Sequence, residues 1–134
     1  MTIRRIPYQQ TWEIRHEVLW PNQPIDHVKL STDPDGWHFG LFVNDRLVAV
    51  VSAFVTDKEA QFRKFATREA EQGKGYGTQL LDHLIEELRV GGVTNIWCNA
   101  RLDKTYFYER FGLTRTTERF SKGGIDYVIM RGEV

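Results

Sequence analysis

The residues best suited to chemistry in this sequence are the glycines of the segment QGKGYGT, residues 72–78. Gly73, Gly75 and Gly77 alternate with longer side chains, so successive backbone N–H groups can converge on one anion. The apolar pattern that follows predicts a helix, whose N-terminus carries the positive end of the helix dipole. These features predict a cradle for a diphosphate group. A flexible turn between a strand and a helix is the alternative interpretation.

Two common nucleotide-binding motifs differ from this loop in detail. A Walker loop ends in Gly-Lys followed by Ser or Thr, whereas here Gly75 is followed by Tyr76. A dinucleotide fingerprint follows the first strand of a βαβ unit and precedes an acidic residue by about twenty positions. Here the strands predicted before the loop form an antiparallel meander, so neither motif explains the glycines.

The elements that must position this loop follow from hydrophobic periodicity and turn residues. Trp12, His16 and Leu19 recur at helical spacing within residues 11–19, and Pro21 ends that helix because it lacks a backbone N–H. Leucines in residues 75–90 form the clearest amphipathic stripe, which stops at a glycine pair.

The other segments complete an α+β prediction. They indicate a loop over residues 21–36, a short helix over residues 105–111, and strands over residues 2–6, 37–43, 47–55, 61–67, 95–99, 115–120 and 125–131. This order predicts an α+β fold of the three-layer α/β type, with a mixed, mostly antiparallel, twisted sheet flanked by helices.

The composition limits the classes of protein. A length of 134 residues and a hydrophobic fraction of 41% predict a single domain, residues 1–134. Lys and Arg number 18, as do Asp and Glu, and this zero net charge argues against nucleic acid as a partner. No apolar run is long enough for a membrane helix, so we expect no membrane partner and a cytoplasmic location.

Cysteine and histidine positions argue against a disulfide and against a metal site. Cys98 is the single cysteine, so it cannot form an internal disulfide or a structural zinc site, which fits a reducing cytosol. The four histidines lack the close spacing of metal ligands. They are His16, His27, His38 and His83.

Two motifs in sequence order resemble the GCN5-related N-acetyltransferase (GNAT) family. That family's coenzyme A signature, Gln/Arg-x-x-Gly-x-Gly/Ala, is matched by Gln72, Gly75 and Gly77. Residues 99–101 (NAR) and 107–113 (FYERFGL) look like the family's strand end and its Phe-Tyr-x-x-x-Gly-Phe helix. The resemblance extends over nearly the whole chain. It implies the GNAT acyl-CoA N-acyltransferase fold and an acetyltransferase with acetyl-CoA as cosubstrate.

The resemblance also implies where coenzyme A binds. The main chain of the glycine loop would hold the pyrophosphate, and pantetheine would lie along the end of the preceding strand. The strand over residues 95–99 would splay away to admit it. The alternative role of Asn99 is a cap at the end of its strand, and the alternative for Lys104 is a solvated lysine on a helix. The expected coenzyme-binding residues are Phe65, Ala66, Thr67, Gln72, Gly73, Lys74, Gly75, Tyr76, Gly77, Thr78, Asn99 and Lys104.

Two residues are expected to take part in the reaction. Tyr108 matches the tyrosine beside the sulfur in similar enzymes, which implies a general acid for the leaving thiolate, with a packed aromatic as the alternative. Gln61 stands where histone-acetylating relatives carry a glutamate base. Because an amide cannot accept the proton, Gln61 would position a water that passes the proton to bulk or to Glu59, Asp57 or His38.

The acceptor is expected to be a primary amine, of a small molecule by default and of a peptide as the open alternative. In similar enzymes its pocket is shaped by the first helix and loop, which here contain Trp12, Arg15, Trp20, His27, Asp33 and Asp35. Direct attack is preferred to a covalent acyl-Cys98, because a lone buried cysteine is usually a small apolar side chain. A function of a different class is a non-catalytic acyl-CoA-binding sensor or regulatory module. Gln61 favours this alternative, because an amide there means that the base has been lost. Open sheet edges would also allow a homodimer.

Overall fold

One seven-stranded sheet forms the framework of the protein. The computed structural model describes residues 1–134. The strands are β1 (Thr2–Arg5), β2 (Trp37–Val43), β3 (Arg46–Thr56), β4 (Glu59–Thr67), β5 (Asn95–Arg101), β6 (Thr114–Lys122) and β7 (Ile125–Glu133). They lie in the order β1-β2-β3-β4-β5-β7-β6. Every predicted strand is present, and the predicted mixed, mostly antiparallel sheet is confirmed.

The sheet opens between β4 and β5, the one parallel pair among its strands. These two strands pair only through Glu59, Ala60 and Gln61, opposite Asn95 to Trp97. Beyond Gln61 they separate, as expected. The main chain of β4 is therefore free on that edge as far as Thr67.

Helix α2 (Tyr76–Val90) covers one face of the sheet, and its bounds agree closely with the predicted helix. Its apolar stripe of Leu80, Leu81, Leu84 and Leu88 is fully buried in the main core. The short helix α3 (Thr105–Glu109) packs against the same core. We call this face of the sheet the α2 face.

The first helical segment, on the other face, is less regular than its period predicts. A 3₁₀ turn, Tyr8–Thr11, leads into α1 (Trp12–Ile14), which continues as a π-helical turn, Arg15–Leu19. Apolar residues three or four positions apart fit each of these hydrogen-bonding patterns over a single turn, so hydrophobic spacing cannot distinguish them. We call the face that this segment covers the α1 face. Its smaller core cluster comprises Ile6, Ile14, Phe42, Val50 and Ala66.

The loop over residues 21–36 contains two short 3₁₀ turns, Ile25–Val28 and Asp33–Asp35. It also lies on the α1 face, because its buried Asp33 bonds to Arg15 of the first helical segment. None of the helices is long and apolar enough to cross a bilayer. No three His, Cys, Asp or Glu side chains are grouped as metal ligands would be.

Candidate active site

The glycine loop presents a row of unpaired backbone donors. The first backbone hydrogen bond of α2 is donated by Gln79 N–H to the Gly75 carbonyl, at 3.2 Å. The N–H groups of residues 73–78 therefore have no backbone acceptor, which is the usual condition of a helix N-terminus. Gly73 and Gly75 take left-handed φ values of 79° and 83°, and a Cβ on either would meet nothing within 4 Å. The loop is thus an open cradle whose donors can bind an anion.

Gly77 is required for a different reason, the close approach of α2 to β4. A Cβ at Gly77 would lie 3.1 Å from the Cζ atom of the Phe65 ring. Phe65 in turn stacks on Phe107 of α3, with ring centroids 5.9 Å apart. The glycine therefore brings the helix N-terminus directly beside the free end of β4.

Two polar side chains of the loop bond within the protein. The Gln72 amide donates from Nε2 to the Thr67 carbonyl at 2.9 Å, which ties the loop to the last residue of β4. The Lys74 ammonium lies 3.0 Å from a Glu71 carboxylate oxygen, and this hydrogen bond raises the pKa of Lys74. The donors that the loop leaves free belong to the main chain.

Tyr108 lies where α3 meets the sheet. Its ring centroid is 5.7 Å from that of Phe62 on β4 and 5.3 Å from that of Phe107. Burial raises the pKa of Tyr108, so the phenol keeps its proton at neutral pH. Its hydroxyl has no partner in the protein and is not among the atoms sealed from solvent. Tyr106, two residues away, is 63% exposed and points elsewhere.

Comparison with known proteins identifies the family of the chain. A family model described as acetyltransferase (GNAT) family matches residues 2–113. The chain belongs to this family. The predicted fold and the predicted acetyl-CoA-dependent N-acetyltransferase are therefore confirmed, with acetyl-CoA as cosubstrate, and the sensor alternative is not favoured.

Individual relatives of this acetyltransferase are similar over much of its length. The uncharacterized N-acetyltransferase YitI of Bacillus subtilis is 29% identical over 97% of this chain and 94% of its own. The [ribosomal protein bS18]-alanine N-acetyltransferase of Salmonella typhimurium is 32% identical over 67% of this chain and 66% of its own. A crystal structure of an N-acetyltransferase from Lactobacillus plantarum superposes with a TM-score of 0.86, covering 99% of both chains at 22% identity, and supports the fold.

Cys98 of the acetyltransferase is a core residue. Its side chain is 3% exposed, and burial raises its pKa to about 12. A thiol in this state is protonated at neutral pH and is a poor nucleophile. This agrees with the preference for direct attack over a covalent acyl-cysteine.

Gln61 and Tyr108 lie on opposite faces of β4. Phe62 contacts Tyr108 on the α2 face. Its neighbour Gln61 points to the α1 face, because side chains alternate along a strand. Gln61 pairs with Phe54 on β3 and with Trp97 on β5, at the last position where β4 and β5 are joined. It therefore stands at the start of the opening between the strands, on the side away from α2.

His38 is fully committed to a structural network and cannot act as the base. Its side chain is 3% exposed, and Nε2 donates to the Asp33 carbonyl at 2.8 Å. This fixes the tautomer, so Nδ1 accepts the hydrogen bond from the Ser52 hydroxyl at 2.7 Å. Burial lowers the pKa of His38, so the ring stays neutral.

Three other titratable side chains named above are Glu59, Asp57 and His27, and Glu59 lies on the same face of β4 as Gln61, two residues away. Glu59 pairs with Arg131 at 3.6 Å, and Asp57 occupies the turn between β3 and β4 with a φ of 56°. His27 is exposed and packs its ring on Trp20, with centroids 4.9 Å apart.

A buried ion pair fixes the acceptor-side loop on the sheet. Arg15 is fully buried and donates from two nitrogens to the Asp33 carboxylate, at 2.9 and 3.0 Å. Arg15 also donates to Ser52 and to the Val28 carbonyl. Burial alone would raise the pKa of Asp33, but hydrogen bonds from Arg15, Leu30 and Trp12 outweigh it and hold that pKa below its usual range. Sequence reasoning assigned both charged residues to the acceptor pocket and missed this pairing.

Two expected coenzyme ligands have no contact that supports their assignment. Asn99 is exposed on β5, where its neighbour on β7 is Ile129. Lys104 is exposed in the 3₁₀ turn Leu102–Lys104 and makes no ion pair.

Sequence reasoning did not single out Arg63 and Lys64, which follow Gln61 on β4. The alternating pattern of that strand gave no reason to assign them a role.

Proposed function

We propose that acetyl-CoA binds with its pyrophosphate on the backbone N–H groups of residues 73–78. The observation that carries this proposal is that six successive donors at the start of α2 lack partners and border the free edge of β4. The positive end of the helix dipole adds attraction for phosphate. Gln72 and Lys74 support the loop through their bonds to Thr67 and Glu71.

Pantetheine runs along the free edge of β4 in this proposal. The main chain at Phe65, Ala66 and Thr67 has no strand partner on the side that faces β5. An extended amide chain pairs with such an edge in the manner of an added strand. The thioester then lies in the opening between β4 and β5, with Tyr108 on the α2 side and Gln61 on the α1 side.

Tyr108 acts as the general acid in the proposed reaction. The acceptor nitrogen attacks the thioester carbonyl carbon, the carbon–sulfur bond breaks, and the departing sulfur takes the proton of the Tyr108 hydroxyl. The raised pKa of Tyr108 keeps the hydroxyl protonated at neutral pH before the reaction. Water that reaches the hydroxyl restores the proton afterwards.

Proton removal from the acceptor proceeds through water. An alkylammonium with a pKa near ~10.4 is almost entirely protonated at neutral pH, so it must lose a proton before attack. Gln61 can hold a water by hydrogen bonds but cannot take the proton itself. His38 is excluded as the base because both of its ring nitrogens are occupied. In this proposal the proton leaves by a chain of waters to bulk solvent.

The acceptor that we propose is the primary amine of a small molecule. A peptide N-terminus is the second candidate, and it is favoured by the named activity of the Salmonella relative on an alanine of ribosomal protein bS18. We also propose that residues 1–134 act as one cytoplasmic domain. The free edges of β1 and β6 would allow a homodimer, which light scattering would detect.

A screen of amines by release of free thiol from acetyl-CoA tests the function, with small amino compounds in one set and short peptides in the other. Tyr108→Phe should retain its affinity for acetyl-CoA and lose turnover by about 10² to 10⁴-fold. Tyr106→Phe is the matched control, because it removes a hydroxyl from the same helix outside the site. Equal turnover of the Tyr108 variant and wild type would remove the general acid from the proposal.

A further inference from the structure

Two cations follow Gln61 on β4, just beyond the point where β4 and β5 separate. Arg63 lies on the α1 face, because it is two residues from Gln61 and pairs with Ser52. Lys64 is the extra residue of a bulge, with a left-handed φ of 55° at a shift in the β3–β4 register. Both side chains are half-buried. The acceptor side of the opening is therefore bordered by positive charge.

Neither cation has a partner in the protein. Arg63 and Lys64 take part in no side-chain hydrogen bond or salt bridge, in contrast to the buried Arg15, which Asp33 neutralises. The charges that act on Lys64 are those of Arg63, Arg15 and Lys122 and, with opposite sign, Asp33. Asp33 is already bonded to Arg15 through both carboxylate oxygens.

Burial and like charge act together on this pair. Burial, the larger cause, and the neighbouring cations together lower the pKa of Lys64 to about 8. Burial and Arg15 also lower the pKa of Arg63. Partly desolvated charges without partners are costly, and an anion bound between them would offset that cost. The guanidinium fork of Arg63 matches the two oxygens of a carboxylate.

We infer that the acceptor carries a carboxylate, which binds Arg63 and Lys64 while its amine reaches the opening between β4 and β5. This inference rests on the proposed function, because it names the substrate class of the same site. The Cα atoms of Gln61 and Arg63 are roughly 7 Å apart along a strand. The long Arg63 side chain can reach across this distance, so the adjoining amine and carboxylate of one amino acid can meet the opening and the guanidinium together.

The same face of the sheet also offers apolar contacts. Phe54 and Trp97 flank Gln61 as its neighbours on β3 and β5, and both rings are half-buried. Rings in this position suit an acceptor with an apolar body. Phenyl compounds are therefore the appropriate probes.

The direct test is calorimetric binding of 3-phenylpropionate, with 3-phenylpropionamide as the uncharged counterpart. Neither probe has an amine, so the result does not depend on acetyl transfer. Wild type should bind the acid at least ~10-fold more tightly than the amide, as expected for hydrogen bonds to a charged group. Arg63→Gln and Lys64→Gln should each reduce that preference severalfold. Lys58→Gln, which removes a lysine from the β3–β4 turn, should leave it unchanged.

Equal affinity of wild type for acid and amide would overturn the inference. Tight binding of benzylphosphonate without binding of the acid would overturn the assignment of a carboxylate. Urea midpoints of the variants show that each is folded. A preference for the acid that requires Arg63, together with no thiol release from any amine, would support the subsite and contradict the proposed function.

The kinetic counterpart compares phenylalanine with phenylalaninamide as acceptors. Wild type should have the higher kcat/KM for the acid, and Arg63→Gln should lower kcat/KM for the acid by ~10-fold or more while changing that for the amide little. For each acceptor, the kcat/KM of wild type is divided by that of Arg63→Gln, which cancels the effect of the different amine pKa values of the two compounds. An equal loss for both acceptors would contradict a role in carboxylate recognition.

Discussion

Replacing Lys64 by glutamine should stabilise the fold at neutral pH. The pKa of Lys64 falls from 10.5 to about 8, chiefly because burial penalises its charged form. At about 1.36 kcal/mol per pKa unit, this shift corresponds to a cost of about 3 kcal/mol for keeping the ammonium charged in the folded state. The side chain is only half-buried, so solvent screening reduces the expected gain to about 1 to 2 kcal/mol. Glutamine retains most of the side-chain volume.

The pH dependence of this gain has a definite sign. The pKa of Lys64 is lower in the folded state than in the unfolded state. Below about pH 8 the lysine is charged in both states, so its full cost to the free energy of unfolding is present there. Wild-type stability then rises with pH as the folded protein loses this proton first. The advantage of Lys64→Gln should therefore be largest at pH 7 and clearly smaller at pH 9.5.

Urea unfolding at the two pH values measures both effects. Lys58→Gln serves as the control for removing one positive charge from an exposed turn of the same strand pair. The reasoning is wrong if Lys64→Gln is no more stable than this control at pH 7. It is also wrong if the advantage is the same at pH 9.5.

Three further outcomes follow from the site. For Gln61→Glu, the pH profile of kcat/KM should gain an acidic limb near the carboxylate pKa of ~4.3 or somewhat higher, whereas the wild-type profile should follow the ionisation of the amine alone. A wild-type limb with the midpoint of a histidine would contradict the water relay. Asp33→Asn should lower the free energy of unfolding in urea by about 3 to 5 kcal/mol, because it leaves Arg15 charged and unpaired in the interior, while the exposed Asp35→Asn should cost far less. Cys98 should resist iodoacetamide in the native enzyme and react once urea unfolds it, and fast native alkylation would contradict its burial.

The elements around the coenzyme site were predictable because their signals are local. The glycines at 73, 75 and 77 required unusual backbone freedom or close packing, and the leucine stripe of α2 required a helix directly after them. Both requirements depend on residues that are close in sequence. The strand bounds followed from the same local patterns, with small extensions at their ends.

The acceptor side depends on contacts between distant residues, and there the sequence was insufficient. The pairing of Arg15 with Asp33 joins residues 18 positions apart, and no local pattern distinguishes it from two solvated charges. The bulge at Lys64 changes the alternation of β4, so the strand pattern alone could not show which face its charge reaches. His38 was an open candidate for the base until its two hydrogen bonds were known.

Acetyl-CoA binding by two glycine variants tests the central claim, that the main chain of residues 73–78 holds the pyrophosphate. Gly75 and Gly92 have left-handed φ values of 83° and 93°, lie near opposite ends of α2, and have open space where a Cβ would stand. Tryptophan at either position brings similar backbone strain, but only Gly75→Trp covers the cradle. Calorimetry should show at least ~10-fold weaker acetyl-CoA binding for Gly75→Trp and near wild-type affinity for Gly92→Trp. Wild-type affinity in both variants would contradict the claim.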